Sequence, residues 1–214
     1  MIVMPANNTG IVMGWLCGRF PNRLGHLYSP GGLTRTHAWL PFALDNGRFV
    51  CWQKQQKWDE AAYLGMCDRV AQMNHKPRWQ LVPDVVADAA ETLREWDRWA
   101  HRLRSRYGWP LAFAAQDGHR PEDVPAEAEV VFVGGTTEWK RATMSDWCDA
   151  RQRVHVGRIN TDRWLWECDR IGVESCDGTG WFRGDQDQLD GLIDYLERST
   201  DGRGDPRGPL LWGG

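Results

Sequence analysis

Short apolar runs, each ending in a polar residue or a pair of glycines, recur along the chain and restrict its fold more than any other feature. They are FALDNG at 42–47, WQLVPD at 79–84, LAFAAQDG at 111–118, VVFVGG at 130–135, VHVGRIN at 154–160 and GVESCDG at 172–178. Continuous apolar runs are the pattern of parallel strands covered on both faces. A carboxylate at the end of such a strand is costly if left unpaired, so a series of them converging on one rim suggests a site rather than a core.

The segments between these runs carry helical spacing, which gives an alternation of strand and helix. Strands are predicted at 2–5, 11–16, 37–44, 80–82, 111–115, 130–133, 154–156 and 173–176, with a turn at 7–10 and a long irregular piece at 17–36. Helices are predicted at 59–74, with Ala62, Met66, Val70 and Met73 on one face, and at 87–107, with a stripe of Leu93, Trp96, Ala100 and Leu103. Further helices are expected at 145–152, 162–171 and 186–198, and a loop or single helical turn at 119–127. Eight strands with intervening helices predict a compact (β/α)8 TIM-like barrel over residues 1–198 as a single domain. Residues 199–214, rich in Gly and Pro, are expected to form a poorly ordered tail. The structural alternative is an open doubly wound sheet, but no Gly-rich dinucleotide fingerprint follows the first strand.

At 214 residues the chain is long enough for one large core, and 42% hydrophobic residues fit a folded globular protein. No apolar stretch approaches the roughly 20 residues needed to span a bilayer. The expectation is a soluble, unprocessed, cytoplasmic protein, in the host cytoplasm if a phage encodes it, with no membrane partner. Cys17, Cys51, Cys67, Cys148, Cys168 and Cys176 are scattered, with no metal-ligand spacing, so neither a zinc-binding subdomain nor another metal or cofactor is expected. A net charge of −3 supplies no global basic field for nucleic acid, although a local groove could still act. The only lysines are Lys54, Lys57, Lys76 and Lys140, so the basic residues are almost all arginine.

Taken singly, the strand-end residues have ordinary readings as well as functional ones. Asp45 lies in an Asp-Asn-Gly turn signal, Asp84 is placed to cap a helix, and Gln116-Asp117-Gly118 reads as a turn. Gly134 and Gly135 could simply permit a tight strand exit, and Asp177-Gly178-Thr179-Gly180 reads locally as a turn. On consecutive strands of one barrel they fall together at the C-terminal rim, where barrel enzymes place their chemistry.

The order of these motifs resembles that of the tRNA-guanine transglycosylase superfamily, and is most similar to the 7-deazaguanine DNA transglycosylases, including short phage-type members. The resemblance runs from Ile2 to about Trp181. Met4-Pro5-Ala6 is similar to the family's first strand, and Leu44-Asp45-Asn46-Gly47-Arg48-Phe49 to its Asp-Ser-Gly-Gly-Phe element. Val82-Pro83-Asp84 stands where the family has a base-recognising aspartate, and Ala115-Gln116-Asp117-Gly118 where it has a Gln-Gly motif. Val133-Gly134-Gly135 resembles the paired-glycine motif, and His155-Val156-Gly157-Arg158 the strand after it. Gly172 to Asp177 looks like the segment that delivers the nucleophilic aspartate. The zinc site of three Cys and one His that the tRNA enzymes carry has no counterpart after Asp177, and the extra RNA-binding domains of archaeal relatives are absent.

The resemblance implies exchange of guanine in DNA for a free 7-deazaguanine base such as 7-cyano-7-deazaguanine. Asp177 is the implied nucleophile, holding the sugar as a covalent glycosyl ester, and Asp45 the group that moves protons to and from the bases. Asp84 is implied to read the amino and imino edge of the base, and Gln116 with the amides of Gly134 and Gly135 its carbonyl and 7-substituent side. Asp117 could take the place of Asp84, and Arg158 could neutralise a carboxylate, contact a phosphate or form a structural ion pair. Trp15, Trp52, Trp58, Trp139 and Trp181 fall near the rim, where they could stack on bases or simply pack, whereas Trp96 and Trp99 are expected to pack on a helix. Arg19, Arg23, Arg35, Arg48, Lys54 and Lys57 could track a phosphate backbone or be solvated surface. Partner proteins for DNA modification are possible in this reading. The alternatives are a tRNA-guanine transglycosylase, a base hydrolase in which water resolves the intermediate, and a non-catalytic subunit binding bases or nucleic acid.

Overall fold

The computed structural model describes residues 1–6, 10–151 and 153–208. Eight strands, β1 (Ile2–Pro5), β2 (His26–Tyr28), β3 (Phe42–Leu44), β4 (Gln80–Leu81), β5 (Leu111–Ala115), β6 (Val130–Val133), β7 (Val154–Val156) and β8 (Ser175–Gly178), form one parallel sheet. Their spatial order, β1-β8-β7-β6-β5-β4-β3-β2, brings the first two strands together as the ends of the sheet. β1 pairs with β8 from Ile2↔Ser175 to Pro5↔Gly178. The seam between β1 and β2 is carried by isolated bridges at Val3↔Leu24 and Ala6↔Leu27, with Val3 N–H donating to the Arg23 carbonyl and Gly25 N–H to the Val3 carbonyl, both at 2.9 Å. Gly25 is required there, because a Cβ would lie 2.6 Å from the Pro41 carbonyl oxygen. The sheet is thus a nearly closed (β/α)8 barrel.

Side chains alternate across each strand, so the chain builds two apolar layers. Met4, Leu27, Ala43, Trp79, Leu81, Ala112, Ala114 and Val130 fill the barrel interior, with Ile2 and Phe132 against them. The other parity, including Val3, Leu44, Val82, Phe113, Val131 and Val156, packs against the surrounding helices. At the N-terminal end of the barrel Glu174 accepts from Arg153 Nε at 2.8 Å and pairs with Arg78.

Helices α1 (Ile11–Arg19), α2 (Arg48–Gln53), α3 (Glu60–Ala71), α4 (Ala89–Tyr107), α5 (Thr137–Ala150), α6 (Asp162–Arg170) and α7 (Gln186–Thr200) surround the sheet. α2 and α3 both lie between β3 and β4. The β2–β3 connection holds no described helix, and β5–β6 holds only a 3-10 turn at Pro121–Asp123, within the stretch 119–127 expected as a loop or single helical turn. α4 shows how sequence signals set these elements: Asp88 caps its start by accepting from Glu91 N–H at 3.0 Å, and Gly108, at φ +66°, ends it. Trp96 and Trp99 are buried on its inner face, as expected. No helix among the described residues is long and apolar enough to cross a membrane.

Several elements differ from the sequence reading. Residues 11–16, expected as the second strand, lie in α1: Met13, Leu16 and Cys17 are its buried face at helical spacing, while Ile11, Val12 and Trp15 point outward. The second strand is instead His26–Tyr28, inside the piece expected to be irregular. The third shrinks from 37–44 to Phe42–Leu44. α2 follows the expected Asp45-Asn46-Gly47 turn, with Gly47 at φ +79° as its N-cap. α5 begins at Thr137 rather than 145, because Thr136 caps it by accepting from Trp139 N–H. Residues 201–208 are tied down rather than poorly ordered, since Arg163 donates to Asp205 Oδ2 at 3.0 Å and to the Gly208 carbonyl at 2.9 Å. Residues 7–9 of the expected turn and 209–214 of the expected tail lie outside the described residues.

The interior layer is anchored by Trp79, fully buried and edge-on to Phe132 and His155. Trp79→Ala should lower unfolding free energy by about 3–5 kcal/mol, because few neighbours can collapse into the barrel axis. Urea denaturation read by far-UV circular dichroism checks this.

Candidate active site

The period of two that fills the barrel also places the site. Ala43, Ala114, Phe132, His155 and Ser175 face the interior, and the residues two further along, Asp45, Gln116, Gly134, Gly157 and Asp177, form the next layer at the C-terminal mouth. Polar residues in this layer stand directly above an apolar plug. Two of the five are glycines, which let neighbouring side chains close in; at Gly157 a Cβ would lie 2.9 Å from the Phe132 ring and 3.3 Å from Asp177 Oδ2.

Asp177 is buried, with both carboxylate oxygens held. Arg158 N–H donates to Oδ1 at 3.1 Å, and His155 Nε2 lies 3.1 Å from Oδ2. The amide reaches Oδ1 because Arg158 adopts φ +58°, a left-handed conformation rare for a side chain of this size. Beside this carboxylate stand two cations. The Arg158 guanidinium donates to the Gly135 carbonyl, and Lys140, buried on α5, donates to the Gly157 carbonyl. Burial, reinforced by the Arg158 charge and partly offset by Asp177, brings the Lys140 ammonium down to about 8.

Across the mouth, Asp84 is buried and accepts from Asn46 Nδ2 at 2.8 Å and from Gln116 Nε2 at 2.6 Å. Burial raises its carboxyl above the usual range, with the two amide donors and the Arg48 charge working against the shift. Gln116 is fixed in turn, since its Oε1 accepts from Ala87 N–H and Gly135 N–H, each at 3.2 Å. Asp45 is half-buried, and its Oδ2 has a weak 3.3 Å bond from Gly47 N–H. Burial first, then repulsion from Asp177 and Asp84, raises its carboxyl to about 7.

The structure therefore brings Asp45, Asp84, Gln116, Asp177 and Arg158 to one mouth. Asp117 is turned elsewhere: it accepts from Thr136 N–H at 2.7 Å and from Thr136 Oγ1 at 2.5 Å, at the start of α5. This separates it from Asp84, which the sequence alone leaves interchangeable. The amides of Gly134 and Gly135 already have partners, in the Ala115 carbonyl and Gln116 Oε1. Trp15 and Trp52 are exposed, Trp58 and Trp139 half-buried, and Trp181 fully buried and closed to stacking. Arg19 pairs with Glu197, Arg23 bonds Tyr195 and Ser199, and Arg48 pairs with Glu95 over the Trp58 ring, while Arg35, Lys54 and Lys57 are exposed. Sequence reasoning missed Asn46, His155, Lys140 and Phe49. Phe49, on α2, carries the Arg158 guanidinium 4.5 Å from its ring centroid. The parity of β7 was the available signal for His155, two residues before Gly157.

Among the described residues no group of three or more His, Cys, Asp or Glu could hold a metal ion. Compared with known proteins, the chain matches no family model and no curated protein.

Chemically, the mouth offers a carboxylate oriented at both oxygens, a second carboxyl poised near neutrality and a rigid acceptor edge at Asp84. The state of Asp45 also links stability to pH. Its carboxyl titrates near 7 when folded and near 4 when unfolded, so the folded state holds the extra proton between those values. The stability this confers is full below about pH 4 and is lost as pH rises through 7. Asp45→Asn should therefore melt a few degrees above the native protein at pH 8, with the gain shrinking toward pH 4.5. Thermal unfolding at the two pH values checks this; an equal gain at both contradicts it.

Proposed function

We propose that this chain is a base-exchanging transglycosylase that replaces guanine in DNA with a free 7-deazaguanine base through an aspartyl-glycosyl ester. The observation that carries the reading is the pairing, in one barrel mouth, of Asp177, held at both oxygens, with Asp45, raised to about 7 by burial and by its carboxylate neighbours. Asp177 attacks C1′ of the target nucleotide as the bond to guanine breaks, and protonated Asp45 gives its proton to the departing ring nitrogen. The incoming base returns a proton to Asp45 and attacks C1′, which releases the Asp177 carboxylate. A group titrating near neutrality can serve in both directions, because both of its forms are populated at working pH.

Asp84 holds the amino and imino edge of the base. Each of its oxygens accepts one protein donor and keeps a lone pair for another. With the Gly134 and Gly135 amides engaged inside the protein, reading of the base carbonyl falls in this proposal to Arg158, whose guanidinium has donors beyond the one it gives the Gly135 carbonyl. Retention of both Asp45 and Asp177 favours an enzyme over a silent binding subunit.

The test is exchange of labelled 7-cyano-7-deazaguanine into DNA and, separately, into tRNA. Label is expected in DNA with the native protein, none with Asp177→Asn, and a rate about 10²–10⁴-fold lower with Asp45→Asn. Label confined to tRNA moves the assignment to RNA, and unchanged exchange by Asp177→Asn removes the covalent mechanism.

A further inference from the structure

We infer that His155 is a positioning residue for Asp177, and that its Nε2–H holds the nucleophilic carboxylate and supports its departure when the glycosyl ester is resolved. This rests on the transglycosylase reading of Asp177. His155 lies on β7 in the interior layer below the mouth, with no exposed surface. Its ring is stacked on Phe132, centroids 4.9 Å apart at 24°, and meets Trp79 edge-on at 4.8 Å. Aromatic packing thus fixes the ring plane.

Both ring nitrogens have polar partners, Ser175 Oγ at 2.8 Å from Nδ1 and Asp177 Oδ2 at 3.1 Å from Nε2. The partners set the tautomer. An ionised carboxylate only accepts, so Nε2 carries a proton toward Asp177, and Nδ1 accepts from the Ser175 hydroxyl. Ser175 and Asp177 are successive inward residues of β8, so one imidazole on the neighbouring strand spans both. The resulting Ser-His-Asp order is not a hydrolase triad, because the Ser175 hydroxyl is sealed beneath the histidine.

A donor at Oδ2 acts unequally over the cycle. It bonds a full carboxylate before attack, an uncharged ester carbonyl in the intermediate, and a carboxylate again as C1′ is released to the incoming base. Hydrogen bonds to charged acceptors are about twice as strong as neutral ones, so the donor favours the free carboxylate over the ester. Loss of the donor therefore stabilises the ester relative to the free carboxylate and slows its resolution.

The experiment compares native protein, Asp177→Asn, His155→Phe and His155→Gln in the DNA exchange assay, with denaturing gels to quantify covalent protein–DNA adduct. His155→Phe keeps a stacking ring but removes the donor, and His155→Gln places an amide N–H at the reach of Nε2. For His155→Phe, turnover is expected to fall about 10- to 100-fold, with KM for the base within about threefold and adduct accumulating at steady state. His155→Gln should recover most of the turnover and lose the excess adduct. Native-like turnover and adduct in His155→Phe, while the native protein exchanges base, overturn the inference and leave the function standing. So does an equal loss in both variants without added adduct, which marks a packing role. Failure of the native protein to exchange base into either nucleic acid overturns the function and this inference together.

Discussion

Three carboxylates share one poorly solvated mouth, and much of the surrounding structure answers their repulsion. Two of them, Asp84 and Asp177, have each oxygen bound by a specific donor. Asp45, with the weakest local bonding, takes up the remaining strain by holding its proton to about neutral pH. The cations are arranged to the same end. Arg48 acts on Asp84, and Lys140 and Arg158 stand on the Asp177 side, where burial and mutual repulsion bring the lysine down. The different characters of three identical side chains thus come from their neighbours.

The mouth in turn depends on the parity of eight short strands. A one-residue slip in β8 would turn Asp177 outward and carry Cys176 into the barrel. Registry is kept by pairing on both sides of β8 and by the size contrast in the interior, where Trp79, Phe132 and His155 are offset by Ala43, Ala112 and Ala114. Closure uses the least regular pairing, the bridges of β1 to the segment around Leu24 and Leu27, where Gly25 admits the Pro41 carbonyl.

The barrel and most of its mouth were legible because buried parallel strands need continuous apolar runs and their ends need turn residues. What the sequence hid has local physical causes. β2 is three residues long, and two of them are His26 and Tyr28, whose polar groups meet at 2.6 Å, so it shows no apolar run. α1 carries β-branched Ile11 and Val12 on its outer face, which mimics a strand until the burial at Met13, Leu16 and Cys17 is known. Asp117 and Asp84 could not be told apart because both follow a strand closely, and only the Thr136 bonds of Asp117 separate them. His155 and Lys140 look like ordinary polar residues in sequence, since their importance comes from burial beside a carboxylate supplied by another strand.

The contact of Phe49 with Arg158 joins residues that follow β3 and β7, which lie four strands apart in either direction around the ring. It is a crossbeam over the opening. Breaking that contact forgoes a cation–π interaction of about 0.5–2 kcal/mol. The left-handed backbone at Arg158 gives its amide to Asp177 Oδ1 independently of where the guanidinium rests, so the residue ties the crossbeam and the carboxylate together through two separate groups.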